Sequence, residues 1–293
     1  MKIGLMFANG ASASEPDRAA DLAVQAESLG FESLWAVQHI VIPARYTSRY
    51  PYSAKGTISG GSNIAIPDPL IWLSYVAART QSIKLATGVL VLPQQHPLVV
   101  AKQIATLDRL SRGRMIVGLG AGWLEEEFRA VDQEFPGRGR RLEEGIEVLR
   151  AAWTRDCVAF HGDTLDFDEV VVSPKPAQPR VPIYLGGHTR RAVQRAARIA
   201  DGFFPLAVRG EELRALTAVL RSAASAAGRR VEITAEAPRD LAEARVLLDL
   251  GVERVLAYAP AADGKLRPAL AMTMDRVTSL LGEARSATPE PVD

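Results

Sequence analysis

Cysteine is almost absent: Cys157 is the only one in 293 residues. A disulfide framework and a cysteine-based zinc site within one chain are therefore excluded. Lysine is scarce as well, since six of the 35 basic residues are Lys and the rest are Arg. Against 34 acidic residues the net charge is +1, without the basic excess of a nucleic-acid binder. Long apolar runs are missing. The most apolar stretch, near Val89 to Leu92, stops at Pro93, far short of the ~20 residues that span a bilayer. Neither H-E-x-x-H, C-x-x-C nor the Walker G-x-x-x-x-G-K-S/T occurs, which removes the common zinc-protease, zinc-ribbon and P-loop readings. The G-x-S-x-G nucleophile elbow is absent too. The chain opens at Met1–Lys2–Ile3–Gly4 directly on a strand pattern with no signal-peptide pattern, so a cytoplasmic protein is expected.

What is present is an ordinary apolar content, 47%, with 24% charged residues, enough to build a large core. The dominant rhythm is a short apolar run, a turn and an amphipathic stretch. Strands are predicted at 3–8, 33–37, 83–92, 114–119, 182–185, 202–205, 231–235 and 254–258. Between them lie helical patterns: Ala19, Leu22, Ala26 and Leu29 share one face, as do Val100, Ile104 and Leu107, then Leu142, Ile146, Leu149 and Trp153. Asp68 before Pro69 is a helix start, with the acid at the cap and proline at the first position. Eight strands alternating with helices predict an α/β protein, a (β/α)8 TIM barrel, over residues 1–285 as one domain. A doubly wound open sheet has a similar rhythm; the count of eight and the length favour the barrel. Two segments break the rhythm. Residues 38–66, rich in Gly, Ser and Tyr, form an insertion after the second strand, too long for an ordinary connection. Residues 157–180 form a second, irregular or hairpin insertion after the fourth. The Pro-containing tail 286–293 is expected to be disordered.

In a barrel the chemistry sits at the carboxyl ends of the strands. Two of those ends are glycine loops leading into helices. Gly186-Gly187-His188-Thr189, ahead of Arg190 and Arg191, suits a phosphate, because glycine lets N–H groups approach an anion and the helix dipole favours it. A plain tight turn is its alternative reading. Gly118-x-Gly120-x-Gly122 imitates half a dinucleotide fingerprint, but it follows the fourth strand rather than the first, which rejects a Rossmann reading. His39 ends the second strand before the long insertion, where an imidazole can carry a proton into a cleft; a packing histidine is the alternative. His96 before Pro97 reads as a capping residue, His188 as a backbone contributor, and His161 has no visible partner. The run Glu125-Glu126-Glu127 reads as the solvated, dipole-favoured first turn of a helix rather than a metal site, and no metal is expected. Trp35 and Trp72 read as packing residues, whereas Trp123 beside a glycine loop is a candidate pocket wall.

These residues, taken in order, resemble the luciferase-like monooxygenase superfamily. The resemblance rests on Leu29-Gly30-Phe31-Glu32-Ser33-Leu34-Trp35 with His39, Asp68-Pro69-Leu70, Thr87-Gly88-Val89-Leu90-Val91-Leu92-Pro93, the stretch Ala101 to Ser111, Gly118 to Trp123 and Gly186-Gly187. It runs from residue 1 to about 205. Tyr50-Pro51-Tyr52 and the segment from Leu149 are similar to the branch that uses the deazaflavin coenzyme F420. The resemblance implies a barrel holding a flavin-type ring, backed by a cis peptide near Gly88-Val89. It also implies that Gly120, Ala121, Gly122, Gly186, Gly187, His188 and Thr189 hold the cofactor's chain and phosphate. His39 then lies near the reactive ring, with Gln38 beside it and a small-molecule substrate near Arg45, Tyr46 and Trp123. Relatives commonly carry an acid directly before that histidine; here the residue is Gln38, an amide that hydrogen-bonds but takes no proton. The expected function is hydride transfer between F420 and a small organic substrate, with an FMN-dependent monooxygenase and a non-catalytic flavin-binding barrel as alternatives. Relatives are often homodimers, so a homodimer is expected.

Overall fold

Alternation along the strands explains how the sheet closes on itself. Leu34, Leu85, Val117, Ile183 and Val255 pack outward against helices. Their chain neighbours Trp35, Ala86, Ile116, Tyr184 and Leu256 face inward and form a second, separate cluster with Met6 and Phe204. Both faces are apolar, which is the composition of a parallel sheet covered on its outer side and filled on its inner side.

The computed structural model describes residues 1–53, 55–58, 60–260 and 265–286. The strands are β1 (Lys2–Met6), β2 (Ser33–Ala36), β3 (Lys84–Thr87), β4 (Leu90–Val91), β5 (Met115–Gly120), β6 (Val158–His161), β7 (Asp166–Val170), β8 (Ile183–Gly186), β9 (Gly202–Phe204), β10 (Glu232–Glu236) and β11 (Arg254–Tyr258). The helices are α1 (Pro16–Ser28), α2 (Pro69–Ala77), α3 (Pro97–Leu110), α4 (Glu125–Ala130), α5 (Arg138–Thr154), α6 (Arg190–Ile199), α7 (Gly210–Ala226), α8 (Leu241–Asp249) and α9 (Leu266–Ser286). Parallel pairings run β3–β2–β1–β11–β10–β9–β8–β5, and β5 returns to β3. The chain is therefore a closed barrel of eight parallel strands with helices around it, a TIM barrel. The tail expected at 286–293 lies outside the described residues, apart from Ser286 at the end of α9.

Helix starts follow the caps seen in the sequence. The Asp68 carboxylate accepts from the N–H groups of Leu70 and Ile71, both at 2.9 Å. The His96 ring accepts from the Leu98 N–H at 3.3 Å, and the Thr189 hydroxyl from the Ala192 N–H at 3.2 Å. Each satisfies a donor left open by the first turn.

One predicted element differs in detail, and for another one of two alternatives is chosen. The third strand does not run unbroken from Ile83 to Leu92. It splits into β3 and β4 around a cis Gly88–Val89 peptide, then turns into a short 3-10 helix. The second insertion is a hairpin, β6 against antiparallel β7, in which His161 Nδ1 lies 2.6 Å from Asp166. Its tip is tied to α5: the buried Glu144 carboxylate accepts from the N–H groups of Asp163 and Thr164. Burial opposes ionisation of Glu144, but these donors and Arg140 outweigh it and hold the carboxyl down at about 2.

The amino end of the barrel is plugged by charge. Arg254, 2% exposed, donates from Nε and Nη2 to both oxygens of Glu32 at 2.8 and 2.9 Å, and from Nη1 to the Tyr184 hydroxyl at 3.1 Å. The Tyr184 hydroxyl donates onward to Glu232. The Tyr184 ring fits only because Gly202 has no side chain; a Cβ there would lie 2.1 Å from it. Among the described residues no helix is long and apolar enough to cross a membrane.

Candidate active site

At the opposite, carboxyl end of the strands the barrel opens into a cavity of about 690 Å³, a size that suits a cofactor or ligand of moderate size. Its floor is the bulge between β3 and β4. The Val89 side chain projects between two glycines: a Cβ on Gly120 would lie 2.7 Å from Val89 Cγ2, and one on Gly186 would lie 3.0 Å from Val89 Cγ1. Gly122 (φ +82°) and Gly187 (φ +130°) take backbone conformations that side chains disfavour, and in both a Cβ would also collide. Gln38 holds the far side of the bulge, its Oε1 accepting the Val91 N–H at 2.7 Å.

His39 stands on the wall beside this floor. Its Nδ1 is 3.0 Å from Glu127 Oε2, and the other Glu127 oxygen accepts the N–H of Ile40 at 2.7 Å. Glu127 is buried and belongs to α4, after β5. Nδ1–H donates to this carboxylate, which leaves Nε2 as the free ring nitrogen. Among the described residues Nε2 has no hydrogen bond, and it is absent from the buried unpartnered atoms, so it keeps its access in a residue that lines the cavity.

The acidic run is thus not a simple solvated turn, as the sequence suggested. Glu125 alone behaves so, pairing with exposed Arg129. Glu126 accepts from the Thr47 N–H at 2.6 Å and from the Ser48 N–H at 3.2 Å. Burial opposes its ionisation, but those donors hold its carboxyl at about 2. Two neighbouring carboxylates therefore latch the 38–66 insertion over the barrel mouth. From that insertion Tyr50 and Tyr52 enter the cavity. Tyr50 packs on Trp123 (5.1 Å between ring centres), Trp123 on His39 (6.1 Å) and Tyr52 on His188 (5.5 Å). Burial pushes both tyrosine hydroxyls above their ordinary range, so they stay protonated.

The other end of the cavity is cationic. Arg138, Arg140, Arg191 and Arg195 line it near the N-termini of α5 and α6. Arg140 and Arg195 are committed to Glu144 and Glu143. Among the described residues Arg138 hydrogen-bonds only the carbonyls of Gly122 and Phe135, with its guanidinium 3.7 Å over the Phe135 ring. Among the described residues His188 Nδ1 is buried without a hydrogen-bond partner at this end. Glycine walls that a Cβ would fill, an orphaned ring nitrogen and spare guanidinium charge fit a planar ring with an anionic chain.

The residues read from the sequence gather here with two exceptions. Gln38, His39, Gly88, Val89, the Gly120–Trp123 loop and Gly186–Thr189 all line the cavity. Arg45 does not; it is exposed and absent from the lining. Tyr46 stands behind Trp123 (6.1 Å), its hydroxyl accepting the Ile58 N–H, and is also outside the lining. Arg49 reaches the cavity instead. Sequence reading missed Glu127 and Arg138. The signal for Glu127 was its place four residues after Trp123, on a helix leading from a strand end. Among the described residues no group of three or more His, Cys, Asp or Glu is placed to hold a metal.

An uncharacterised protein of Mycobacterium tuberculosis is 36% identical over 207 residues, covering 69% of this chain and 71% of that protein. The F420-dependent glucose-6-phosphate dehydrogenase of Nakamurella multipartita is 34% identical over 78% of this chain and 64% of its own length. The FMNH2-dependent dimethylsulfone monooxygenase of Pseudomonas putida is 34% identical over 72% and 54%. Among solved structures, monooxygenase RslO1 from Streptomyces bottropensis superposes with a TM-score of 0.65 at 25% identity, over 98% of this chain and 80% of that one. An F420-dependent secondary alcohol dehydrogenase shares the fold, with a TM-score of 0.67 at 19% identity over 97% and 90%. The luciferase-like monooxygenase family model matches residues 1–265, and the chain belongs to that family.

Proposed function

We propose that this chain is an oxidoreductase that moves a hydride between coenzyme F420 and a small organic substrate. The observation that carries the reading is His39, its tautomer set by Glu127 and its free nitrogen open to the cavity beside a glycine-walled floor. The deazaflavin would supply the hydride chemistry; the protein supplies position and charge. Gly120, Gly186 and the Val89 bulge would support the ring. The Gly187–Thr189 turn, His188 Nδ1, Arg138 and Arg191 would hold the anionic chain. His39 would give or take the proton at the substrate heteroatom, while Glu127 steadies the charged imidazolium. The 38–66 insertion, latched by Glu126 and Glu127, would exclude water above the site.

The P. putida relative supports a second reading, an FMN-dependent monooxygenase, which the same cradle would serve. Exposed Ile71 and Tyr75 on α2 and Val99 on neighbouring α3 are the surface a homodimer would cover. Titration of cofactor-free protein with F420 and with FMN, followed by tryptophan fluorescence, separates the readings, because Trp123 lines the cavity. Tighter F420 binding with hydride transfer supports the first. Tighter FMN binding with oxygen-dependent turnover overturns it in favour of the second. Binding without turnover points to a carrier barrel.

A further inference from the structure

Gln38 directly precedes His39 on the cavity wall. It is 6% exposed and lines the cavity, so its carboxamide is a buried polar group at the floor. Asn and Gln amides are often ambiguous in orientation, but this one is fixed by its partner. The Val91 backbone N–H can only donate, and it lies 2.7 Å from the Gln38 side chain, so the oxygen must face it. The NH2 group therefore faces the other way. It has no hydrogen bond among the described residues, yet it is not one of the buried unpartnered atoms, so it keeps its access. His39 Nε2, the next residue's free nitrogen, is open to the same cavity. Glu127 supplies the carboxylate that pairs with His39 Nδ1.

We propose that Gln38 is a specificity residue whose Nε2–H2 donates to a carbonyl oxygen of the bound ligand. A carboxylate at that position would be acceptor-only and would call for an O–H or N–H on the ligand instead. The amide inverts that demand without charge, and the buried bond to Val91 keeps it from flipping. The carbonyl belongs either to the substrate or to the flavin-type ring. The inference rests on the proposed cofactor class only for the second of these sources.

Isothermal titration tests it with two probes of one shape, cyclohexanone and methylenecyclohexane, on the wild type and on Gln38→Glu, with F420 and FMN affinities measured on the same samples. Gln38→Glu keeps an oxygen for the Val91 N–H and changes the exposed NH2 to an acceptor. If the acceptor is a substrate carbonyl, the wild type binds the ketone roughly threefold to tenfold more tightly than the alkene, as one net hydrogen bond allows, and Gln38→Glu abolishes the difference. If it is the ring carbonyl, Gln38→Glu weakens the preferred cofactor by a similar factor and the wild type does not discriminate between the probes. Equal probe affinities in the wild type, together with unchanged cofactor affinity in Gln38→Glu, overturn the proposal. So does an absence of binding by every ligand. Should Gln38→Glu fail to fold, Gln38→Met, which keeps the volume and removes the donor, carries the same comparison, since the Tyr50 and Tyr52 hydroxyls are further donors in this cavity. Failure of both cofactors to bind the wild type sinks the proposed function, while the ketone preference is still read on the protein alone.

Discussion

The two ends of this barrel use buried polar groups in opposite ways. At the amino end, Arg254, Glu32, Tyr184 and Glu232 form a closed network in which the guanidinium is matched by a carboxylate and hydroxyls. Burial opposes the charge on Arg254 and on Glu32, and each outweighs that opposition for the other, so Arg254 is driven further up and Glu32 down. At the carboxyl end, His39 Nε2, the Gln38 amide and His188 Nδ1 are held in place by a partner or by packing but have unused hydrogen-bonding capacity. The paired groups of the amino end serve the fold, whereas the groups with capacity to spare at the carboxyl end line a cavity that can receive a ligand.

The sharpest way to break the comparison is to alter one end and look for effects at the other. His39→Ala is expected to lower turnover by about 10²- to 10⁴-fold, the usual worth of a positioned acid–base group, with cofactor affinity and melting temperature nearly unchanged. Single-turnover hydride transfer and thermal unfolding check both halves. Wild-type turnover in this variant would remove His39 from the mechanism. At the amino end, Glu32→Leu is expected to cost roughly 3–5 kcal/mol of stability, because it strands the Arg254 charge in the core. Chemical denaturation reads this loss. The double variant Glu32→Leu, Arg254→Met is expected to regain most of it, since an apolar pair of similar volume needs no counter-charge.

Smaller effects sharpen the picture. Glu127→Gln is expected to reduce kcat by about tenfold to a hundredfold, with KM and cofactor affinity little changed, since it removes charge from the imidazolium partner and leaves the floor intact. A loss confined to KM would assign Glu127 to the loop rather than to His39. Gly120→Ala places a methyl 2.7 Å from Val89. It is expected to shift the bulge and weaken cofactor binding about tenfold, equivalent to ~1.4 kcal/mol; fluorescence titration tests this. The least effect concerns pH. Glu126 is held down at about 2 in the folded chain, against an ordinary value of 4.5. Its native carboxylate is favoured, so its share of loop stability is complete above pH 4.5 and fades as pH falls toward 2. Protection of the Thr47 and Ser48 amides, measured against their intrinsic exchange rates, is expected to fall over that window, while that of β1 and β11 amides is kept. Unchanged protection at Thr47 down to pH 3 would show that the latch does not depend on the carboxylate.

Much of this architecture was legible in the chain. Short apolar runs and helical spacing located all eight barrel strands, because each strand must bury both faces and each helix one. Asp68 and His96 were readable as caps since a cap acts on N–H groups two or three residues away. The glycine loops were readable at strand ends because the barrel rule maps chain position onto the functional face. The break at Gly88–Val89 was less legible from periodicity, since Leu85 to Leu92 reads as one continuous apolar strand. Glu127 was misread in part. Its N-terminal helix position explains a carboxylate equally well in solvent, and nothing local marks a partner 88 positions earlier. Arg45 is expected near the substrate, but an irregular insertion has no periodicity to say which of its arginines turns inward, and Arg49 does.

Sequence by itself determined the fold class, the helix starts, the lack of a disulfide framework, and the strand ends at which a site had to lie. Those depend on local pattern and composition, which act over a few residues. Tertiary structure alone decided that Glu127 partners His39, that Val91 orients the Gln38 amide, and that Arg49 rather than Arg45 enters the cavity. Each of those is set by where distant segments meet when the barrel closes, and a hydrogen bond has a range of about 3 Å in space and none along the chain.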